Sequence, residues 1–296
     1  MSSQFATQSA PILTTPQSWL RSVRKYLKIL RVSMVERLTY RADFFVATLF
    51  RFLPLITTFL LWESVFASSK KVELAGFTRD RMLAYLLLVQ ISRMFSSMPG
   101  LAGGISRDIR EGTLKKYLLQ PIDMTAYLLA YRGAHKLAYI ATSALPYGLL
   151  FAWFHDVFPP FPDTLTFLAY LSSLLMAFLL GFFFEACIGM IGFWLLEVTS
   201  FLYIINTLNF FISGQMFPLD LISSETFWGG DTVLAVLKAL PFPYLAYYPA
   251  RVFLGMVPPD ELGPGLLLQL TWVIVMMTAT RILYRRGLRH YSAYGG

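Results

Sequence analysis

The chain contains few of the residues that build disulfide frameworks and metal sites. Its 296 residues include one cysteine, Cys187, and three histidines, His135, His155 and His290, which lie far apart. A single cysteine rules out a disulfide within the chain and a cluster of thiolate ligands, so we interpret Cys187 as a small buried apolar residue. Because the histidines form no H-E-x-x-H motif, we predict no metal site.

Two catalytic motifs are also missing. The chain has no G-x-x-x-x-G-K-[ST] loop for cradling nucleotide phosphates and no G-x-S-x-G turn for presenting a nucleophilic serine. We therefore predict that the chain is not an enzyme, with no catalytic residue and no cofactor of its own. Any use of ATP would require a second polypeptide.

Charge is scarce, and long apolar runs take its place. Charged residues make up 14% of the chain and hydrophobic residues 56%, against about 25% and about 45–50% in soluble domains. A membrane-spanning helix needs about 20 apolar residues. The candidate runs are 43–66, 82–101, 137–154, 165–194, 201–212 and 265–284. We predict an all-α polytopic membrane protein with about six transmembrane helices in one domain, 42–289. Because the fourth run is long and the fifth short, a seventh crossing stays open.

A basic amphipathic segment precedes the first run. Between residues 19 and 41, apolar side chains recur every three or four positions, and Lys or Arg occupies most of the others. Anionic lipid headgroups attract such a basic face, so we predict an interfacial helix on the cytoplasmic surface of the membrane. The alternative is a helix that binds a soluble partner. Residues 1–18 read as a disordered polar tail.

The distribution of Lys and Arg predicts the orientation of the chain. Basic residues are concentrated in residues 19–41, in residues 106–123 and at the end of the last run, so these regions and both termini should be cytoplasmic. The loops 155–164 and 213–264 are poor in Lys and Arg and should lie outside. The basic loop after the first run, with Lys70 and Lys71, is an exception. Since topology explains the net charge of +8, we predict no nucleic-acid partner. Residues 290–296 form a C-terminal tail.

The loop 213–264 combines high apolar content with several prolines, among them Pro218, Pro241, Pro243 and Pro249. Proline interrupts helices, while the apolar residues favour a position near lipid. We predict short broken helices that re-enter the outer leaflet. The alternative is an ordinary extracellular loop with aromatic residues at the headgroups.

Three ionisable residues, Arg51, Arg93 and Glu185, fall inside apolar runs. Ionisable groups in membrane spans usually face a protein interior or a water-filled path, so these residues are candidates for lining a translocation path. In the alternative interpretation, Arg51 extends to a nearby interface and the other two pair structurally.

Residues 106–123 form a short, densely charged segment between two apolar runs. Gly112 lies between two short helical turns, Glu111 and Lys115 are spaced for an i,i+4 ion pair, and Pro121 ends the second turn. Three apolar residues lie at helical spacing and could form one stripe: Leu114, Tyr117 and Leu118. The segment could dock into a cleft of a soluble protein, or it could be a plain cytoplasmic loop.

Three features together resemble the membrane subunits of type-2 ATP-binding-cassette exporters. They are the amphipathic helix, the sequence REGTLKKYLLQPID between the second and third runs, and the pair Phe217-Pro218 followed by LPFPYLAYYPARVFLG before the last run. The resemblance extends over about residues 19–289. Lys115 and Lys116 depart from it, because many members have an acidic or polar residue there.

The resemblance implies a six-helix permease in a bacterial cytoplasmic membrane, paired with itself or with a sister permease. Two separate ATPase subunits would bind ATP and Mg²⁺. The residues implied to contact the ATPase are Glu111, Gly112, Leu114, Leu118 and Pro121, and those implied in an outer gate are Pro218 and Pro241. The other classes left open are an ion-coupled secondary transporter and a membrane enzyme or assembly factor.

Overall fold

A computed structural model describes residues 16–39, 41–69, 73–195, 198–222 and 229–291. The side chains of residues 16–23, 36–39, 41–49 and 51 lie outside this description, so Arg51 is described only by its helical backbone. Most of the two predicted tails, together with Lys70 and Lys71, also lies outside the described residues.

The described chain is almost entirely helical, which confirms the predicted all-α class. The helices are α1 Pro16–Thr39, α2 Arg41–Ser68, α3 Arg79–Ser96, α4 Leu101–Arg110, α5 Lys115–Leu118, α6 Met124–Trp153, α7 Thr164–Met190, α8 Thr199–Ile212, α9 Gly230–Ala239, α10 Tyr247–Phe253 and α11 Pro259–His290. A small hairpin, β1 Glu73–Leu74 and β2 Phe77–Thr78, precedes α3. Its turn residues, Ala75 and Gly76, both have positive φ, as a tight two-residue hairpin turn requires.

Among the described residues, two helical segments are long and apolar enough to cross a membrane, Thr164–Phe193 and Pro259–His290. The first comprises α7 and a following turn of 3₁₀ helix, Ile191–Phe193. Two shorter apolar helices, Phe52–Ser68 and Thr199–Ile212, match the first and fifth predicted spans in position. The count of six spans stays a prediction.

The predicted second span is broken. The apolar run 82–101 contains a break at Ser97–Gly100, where α3 ends and α4 begins. Pro99 has no N–H to donate, and Gly100 has φ +72°, outside the helical range. The helix of the predicted second span therefore ends at Ser96 instead of Leu101, and α4 begins at Leu101 and extends into residues 106–110 of the charged segment. The crossing itself stays a prediction.

Helix α7 lies at the centre of the fold and packs against α3, α4, α10 and α11. Glycines permit the close contacts with α3 and α4. A Cβ atom on Gly181 would lie 1.9 Å from the carbonyl oxygen of Ser96, and one on Gly189 would lie 2.9 Å from that of Ala102. Small residues at helix contacts are typical of membrane proteins, where close packing drives helix association.

Buried polar side chains join α7 to α11. Gln269 Nε2 donates to the carbonyl oxygens of Ser173, at 2.9 Å, and Tyr244, at 3.1 Å, and Gln269 Oε1 accepts from Ser173 Oγ at 2.9 Å. About three helical turns further along α11, Thr280 Oγ1 donates to the carbonyl oxygen of Phe183 at 3.2 Å. Polar groups in an apolar interior need partners, so these bonds fix how the two helices face each other.

The loop 213–264 contains short broken helices, as predicted: α9, the 3₁₀ turn Phe242–Leu245 and α10. Tyr85 of α3 donates to the carbonyl oxygen of Gly214 at 2.6 Å and ties the start of this loop to the core. The re-entry of these helices into the outer leaflet stays a prediction.

Helix α1 packs along α6. Tyr26, Leu30 and Met34, which belong to the predicted apolar face, are partly buried, and Arg24 and Lys28 are exposed. Part of the apolar face therefore contacts protein. The position of α1 on the cytoplasmic membrane surface stays a prediction.

Candidate functional site

The charged segment 106–123 forms a bent element of two helical pieces. Residues 106–110 end α4, the backbone turns at residues 111–114, and α5 follows. Gly112 has φ +72°, and this conformation explains the need for glycine at the turn. The predicted pair of helical turns around Gly112 is confirmed.

The inner side of this segment is fixed to the core. Leu114 is 0% exposed. Lys116 Nζ lies 2.8 Å from Asp108 Oδ2, and Thr113 Oγ1 donates to Asp108 Oδ1 at 2.8 Å. Partial burial alone would lower the pKa of Lys116, but the hydrogen bond that Lys116 donates to Asp108 and the neighbouring charges outweigh this effect and raise it. The ion pair within the segment thus uses Asp108 and Lys116, and the predicted pairing of Glu111 with Lys115 was wrong.

Two further helices hold the C-terminal end of the segment. Asp123 caps α6 by accepting from the backbone N–H of Ala126 at 2.7 Å, and it forms an ion pair with Arg281 of α11. Lys25 of α1 donates to the carbonyl oxygen of Pro121 at 2.8 Å. Burial alone would raise the pKa of Asp123. The hydrogen bonds from Arg281 and from the backbone N–H of Ala126, together with the charge of Arg281, outweigh this effect and lower the pKa.

The outer side of the segment is exposed and mixes apolar and polar residues. Leu118 is 45% exposed and Leu119 is 85% exposed. The predicted apolar stripe is divided, since Leu114 enters the core, Tyr117 is half-buried beside Tyr127, and Leu118 faces outward. The exposed tip consists of Glu111, Lys115, Leu118, Leu119, Gln120 and Pro121. Sequence reasoning missed Leu119, because helical spacing alone does not show which leucine is buried.

Two of the three ionisable residues in the apolar runs line one cavity. Arg93 and Glu185 contribute to a space of about 360 Å³ bounded by α3, α4, α7 and α8. The backbone N–H of Ala102 donates to Glu185. The side-chain carbonyl oxygens of Asn209 and Gln215 also line this space and have no hydrogen-bond partner among the described residues. The cavity can therefore offer charge and hydrogen-bond acceptors to a polar group.

A second cavity, of about 280 Å³, lies between α2, α3 and α6. Its lining residues are Pro54, Gln90, Arg93, Met94, Ser97, Pro99, His135, Lys136 and Tyr139. Lys136 Nζ donates to the carbonyl oxygens of Met94, at 2.6 Å, and Ser97, and Arg132 donates to that of Pro99 at 2.9 Å. The sequence analysis did not predict these contacts of Arg132 and Lys136 with residues at the α3–α4 break.

The two implied gate prolines are buried and lie in segments that contact each other. Pro218 precedes a 3₁₀ turn that contains Asp220, and Pro241 follows α9, which contains Lys238. Lys238 Nζ lies 3.2 Å from Asp220 Oδ1, which also accepts from Tyr247 Oη at 2.7 Å. These contacts hold the broken helices together near Pro218 and Pro241.

Comparison with protein families gives one match, to the model described as ABC-2 family transporter protein, over residues 52–295. The chain belongs to this family. The match confirms the resemblance and includes the charged segment, both cavities and the broken helices. Curated proteins and solved structures gave no match. As an ABC-2 member, the chain is a polytopic membrane permease with no catalytic role of its own.

Proposed function

We propose that this ABC-2 protein is the permease subunit of an ATP-driven exporter in a bacterial cytoplasmic membrane. It works with separate ATPase subunits that bind ATP and Mg²⁺, and it pairs with a second copy or with a sister permease. Family membership supports the transport role and the ATPase partner. The observation that carries the proposal is the segment 106–123, whose inner side is anchored to three helices while its outer side is exposed.

The anchors of this segment make it suited to transmit motion. An ATPase that holds Leu118, Leu119 and the neighbouring Glu111 would displace the tip. Since Leu114 is buried and Asp108 binds Lys116, the displacement would move α4 as a unit. Helix α4 packs on α7 through the Gly189–Ala102 contact, so its movement would alter the cavity that contains Glu185.

In this proposal the cavity lined by Arg93 and Glu185 is part of the translocation path. The segments that contain Pro218 and Pro241 form its outer gate, held by the Asp220–Lys238 contact. Arg51 remains a candidate by sequence alone. The cytoplasmic position of the charged segment and of both termini follows from the distribution of Lys and Arg.

Co-purification tests the proposal directly. The tagged chain is extracted from its native membranes in mild detergent, and accompanying proteins are identified by mass spectrometry. We expect an ATPase subunit, and we expect Leu119→Asp and Glu111→Arg to reduce its yield because both replace exposed residues of the tip. The matched control is Phe161→Asp, an exposed apolar residue between α6 and α7, which should leave the yield unchanged.

Two results would contradict the proposal. Failure of any ATPase to accompany the chain under several gentle conditions would remove the docking role of residues 106–123. Transport in energised vesicles that needs no ATP would instead support an ion-coupled secondary carrier.

A further inference from the structure

A groove between α1 and the end of the charged segment is lined by three cations. They are Arg24, Lys25 and Lys28 of α1, and they are joined by Ile29 of α1 and Ile122 of the charged segment. The groove has a volume of about 510 Å³. None of the described residues in its lining is Asp or Glu. It therefore combines concentrated positive charge with two apolar side chains.

Two of these cations are available to a ligand. Lys25 Nζ donates to the carbonyl oxygen of Pro121 at 2.8 Å and joins the two walls of the groove. Arg24 and Lys28 are exposed, and neither forms an ion pair with another described residue. They lie four residues apart and are neighbours on the helix surface, where like charges repel each other. An anion between them would replace this repulsion by attraction.

Exposed apolar side chains lie beside the same cations. Leu27 is 58% exposed and lies three residues after Arg24, and Val32 is 68% exposed and lies four residues after Lys28. Residues at these spacings are neighbours on a helix. Cations beside apolar side chains suit the boundary between lipid headgroups and acyl chains. A soluble anion would neutralise the cations but would leave Leu27 and Val32 in water, so the surface favours a lipid.

We propose that the groove between α1 and residues 121–122 binds an anionic phospholipid. Arg24 and Lys28 hold its phosphate through charge-assisted hydrogen bonds, and its apolar part contacts Ile29 and Ile122. Anionic membrane surfaces attract Lys and Arg in the same way. The inference goes beyond the proposed function, because lipid binding requires the chain to lie in a membrane but requires no ATPase.

A lipid in this groove would stabilise the anchored end of the charged segment. Ile122 lies between Pro121, which Lys25 holds, and Asp123, which caps α6. The exposed tip of the segment is not part of the groove lining, apart from its contact through Pro121. The bound lipid would therefore strengthen the attachment of the segment to α1 and leave Leu119 accessible to an ATPase.

The test uses the full chain, purified in mild detergent with any subunits that accompany it. Native mass spectrometry measures its affinity for phosphatidylglycerol, for phosphatidylcholine with the same acyl chains, and for glycerol phosphate, which has no acyl chain. We expect phosphatidylglycerol to bind most tightly, because it alone combines a net negative charge with acyl chains. Its binding should weaken as the salt concentration rises, since salt screens exposed charges.

A double variant, Arg24→Gln with Lys28→Gln, removes the two exposed cations of the groove. We expect the affinity for phosphatidylglycerol to fall about tenfold or more. Because both side chains are exposed, the variant should fold as the native chain does. The matched control is Arg285→Gln with Arg286→Gln, which removes two exposed cations from the last turns of α11. It should leave the affinity nearly unchanged.

The outcomes separate a lipid site from its alternatives. Equal affinity for phosphatidylcholine would show that the negative charge is not recognised, and equal affinity for glycerol phosphate would identify a soluble anion as the ligand. Equal losses in the two double variants would indicate a diffuse attraction to the membrane surface. Each of these results would overturn the proposal.

Unchanged lipid affinity in the variant of Arg24 and Lys28 would also overturn it. A reduced yield of ATPase in that variant would then assign α1 to a soluble partner. If the chain binds phosphatidylglycerol as expected but no ATPase accompanies it, the proposed function fails and the lipid site stands.

Discussion

At Gly181 the packing between α7 and α3 leaves no room for a methyl group. An added Cβ atom would lie 1.9 Å from the carbonyl oxygen of Ser96, a backbone atom that cannot rotate away. We predict that Gly181→Ala lowers the free energy of unfolding by roughly 1–3 kcal/mol, the usual range for overpacking. Thermal unfolding of the purified protein measures it. Gly148→Ala in α6 is the control, because its Cβ would meet nothing within 4 Å, and equal loss in both variants would contradict the prediction.

The ion pair of Asp123 with Arg281 predicts a dependence on pH. The pKa of Asp123 is lower in the folded chain than its usual value. Its contribution to stability is therefore complete above the unfolded pKa, about 3.9, and is lost as the pH falls through the lower folded value. We expect Asp123→Asn to be less stable than the native chain at pH 7 by up to about 1 kcal/mol, since both side chains are partly exposed. The difference should shrink below about pH 4.

A double-mutant cycle isolates the Asp123–Arg281 pair. The effects of Asp123→Asn and Arg281→Gln should add to more than the effect of the double variant, because either change breaks the same contact. Asp163 is the control: it caps α7 through the backbone N–H groups of Leu165 and Thr166. Asp163→Asn should be additive with Arg281→Gln, and additivity in both cycles would show that Asp123 and Arg281 do not interact.

Among the elements, the junction of α3 and α4 depends on the conformation of Gly100. Its φ of +72° is unfavourable for other residues, although a Cβ atom there would meet no neighbour. We predict that Gly100→Ala destabilises the chain by about 1–2 kcal/mol through backbone strain alone. Gly104→Ala, in the next turn, should be neutral or stabilising by up to about 1 kcal/mol, because Gly104 is helical and also has open space. Similar melting temperatures for the two variants would contradict this explanation.

The helices that could be predicted from the sequence are those with the longest apolar runs. The runs 165–194 and 265–284 correspond to α7 and α11, because long apolar sequences leave few alternatives. The break in α3–α4 was missed although Pro99 and Gly100 were visible, because apolar content alone was used to set the span. Helix α6 begins at Met124, 13 residues before the predicted run. Its first turns contain basic residues, which are helical but were not counted because they are not apolar.

The candidate sites were predictable only in part, for a related reason. The charged segment and its glycine turn could be recognised locally, since Gly112 and Pro121 act on their own backbone. The partners of Lys136, by contrast, are carbonyl oxygens 39 and 42 residues away, and no side-chain pattern marks a backbone acceptor. Arg281 pairs with a side chain, Asp123, but the two residues lie 158 positions apart, and the sequence alone does not bring them together.

At the scale of the whole molecule, the orientation of the chain can be tested across single helices. Helix α6 has 30 residues and is about 45 Å long at 1.5 Å per residue, more than a bilayer core of about 30 Å. It separates the exposed Leu119 from the exposed Phe161. Helix α8 has 14 residues and is about 21 Å long. It is shorter than the bilayer core, so neighbouring residues must extend it to complete a crossing.

We therefore predict the labelling pattern of single cysteines placed on a Cys187→Ser background. With basic flanks inside, Leu119→Cys should react with a membrane-impermeant thiol reagent only in inside-out vesicles, and Phe161→Cys only from the opposite side. Val233→Cys in α9 should react on the same side as Phe161→Cys. Two helices, α7 and α8, lie between these positions, and two crossings return the chain to the side from which it started. Labelling of Val233→Cys with Leu119→Cys would show that α8 does not complete a crossing, and would reduce the span count while leaving α6 as a membrane span.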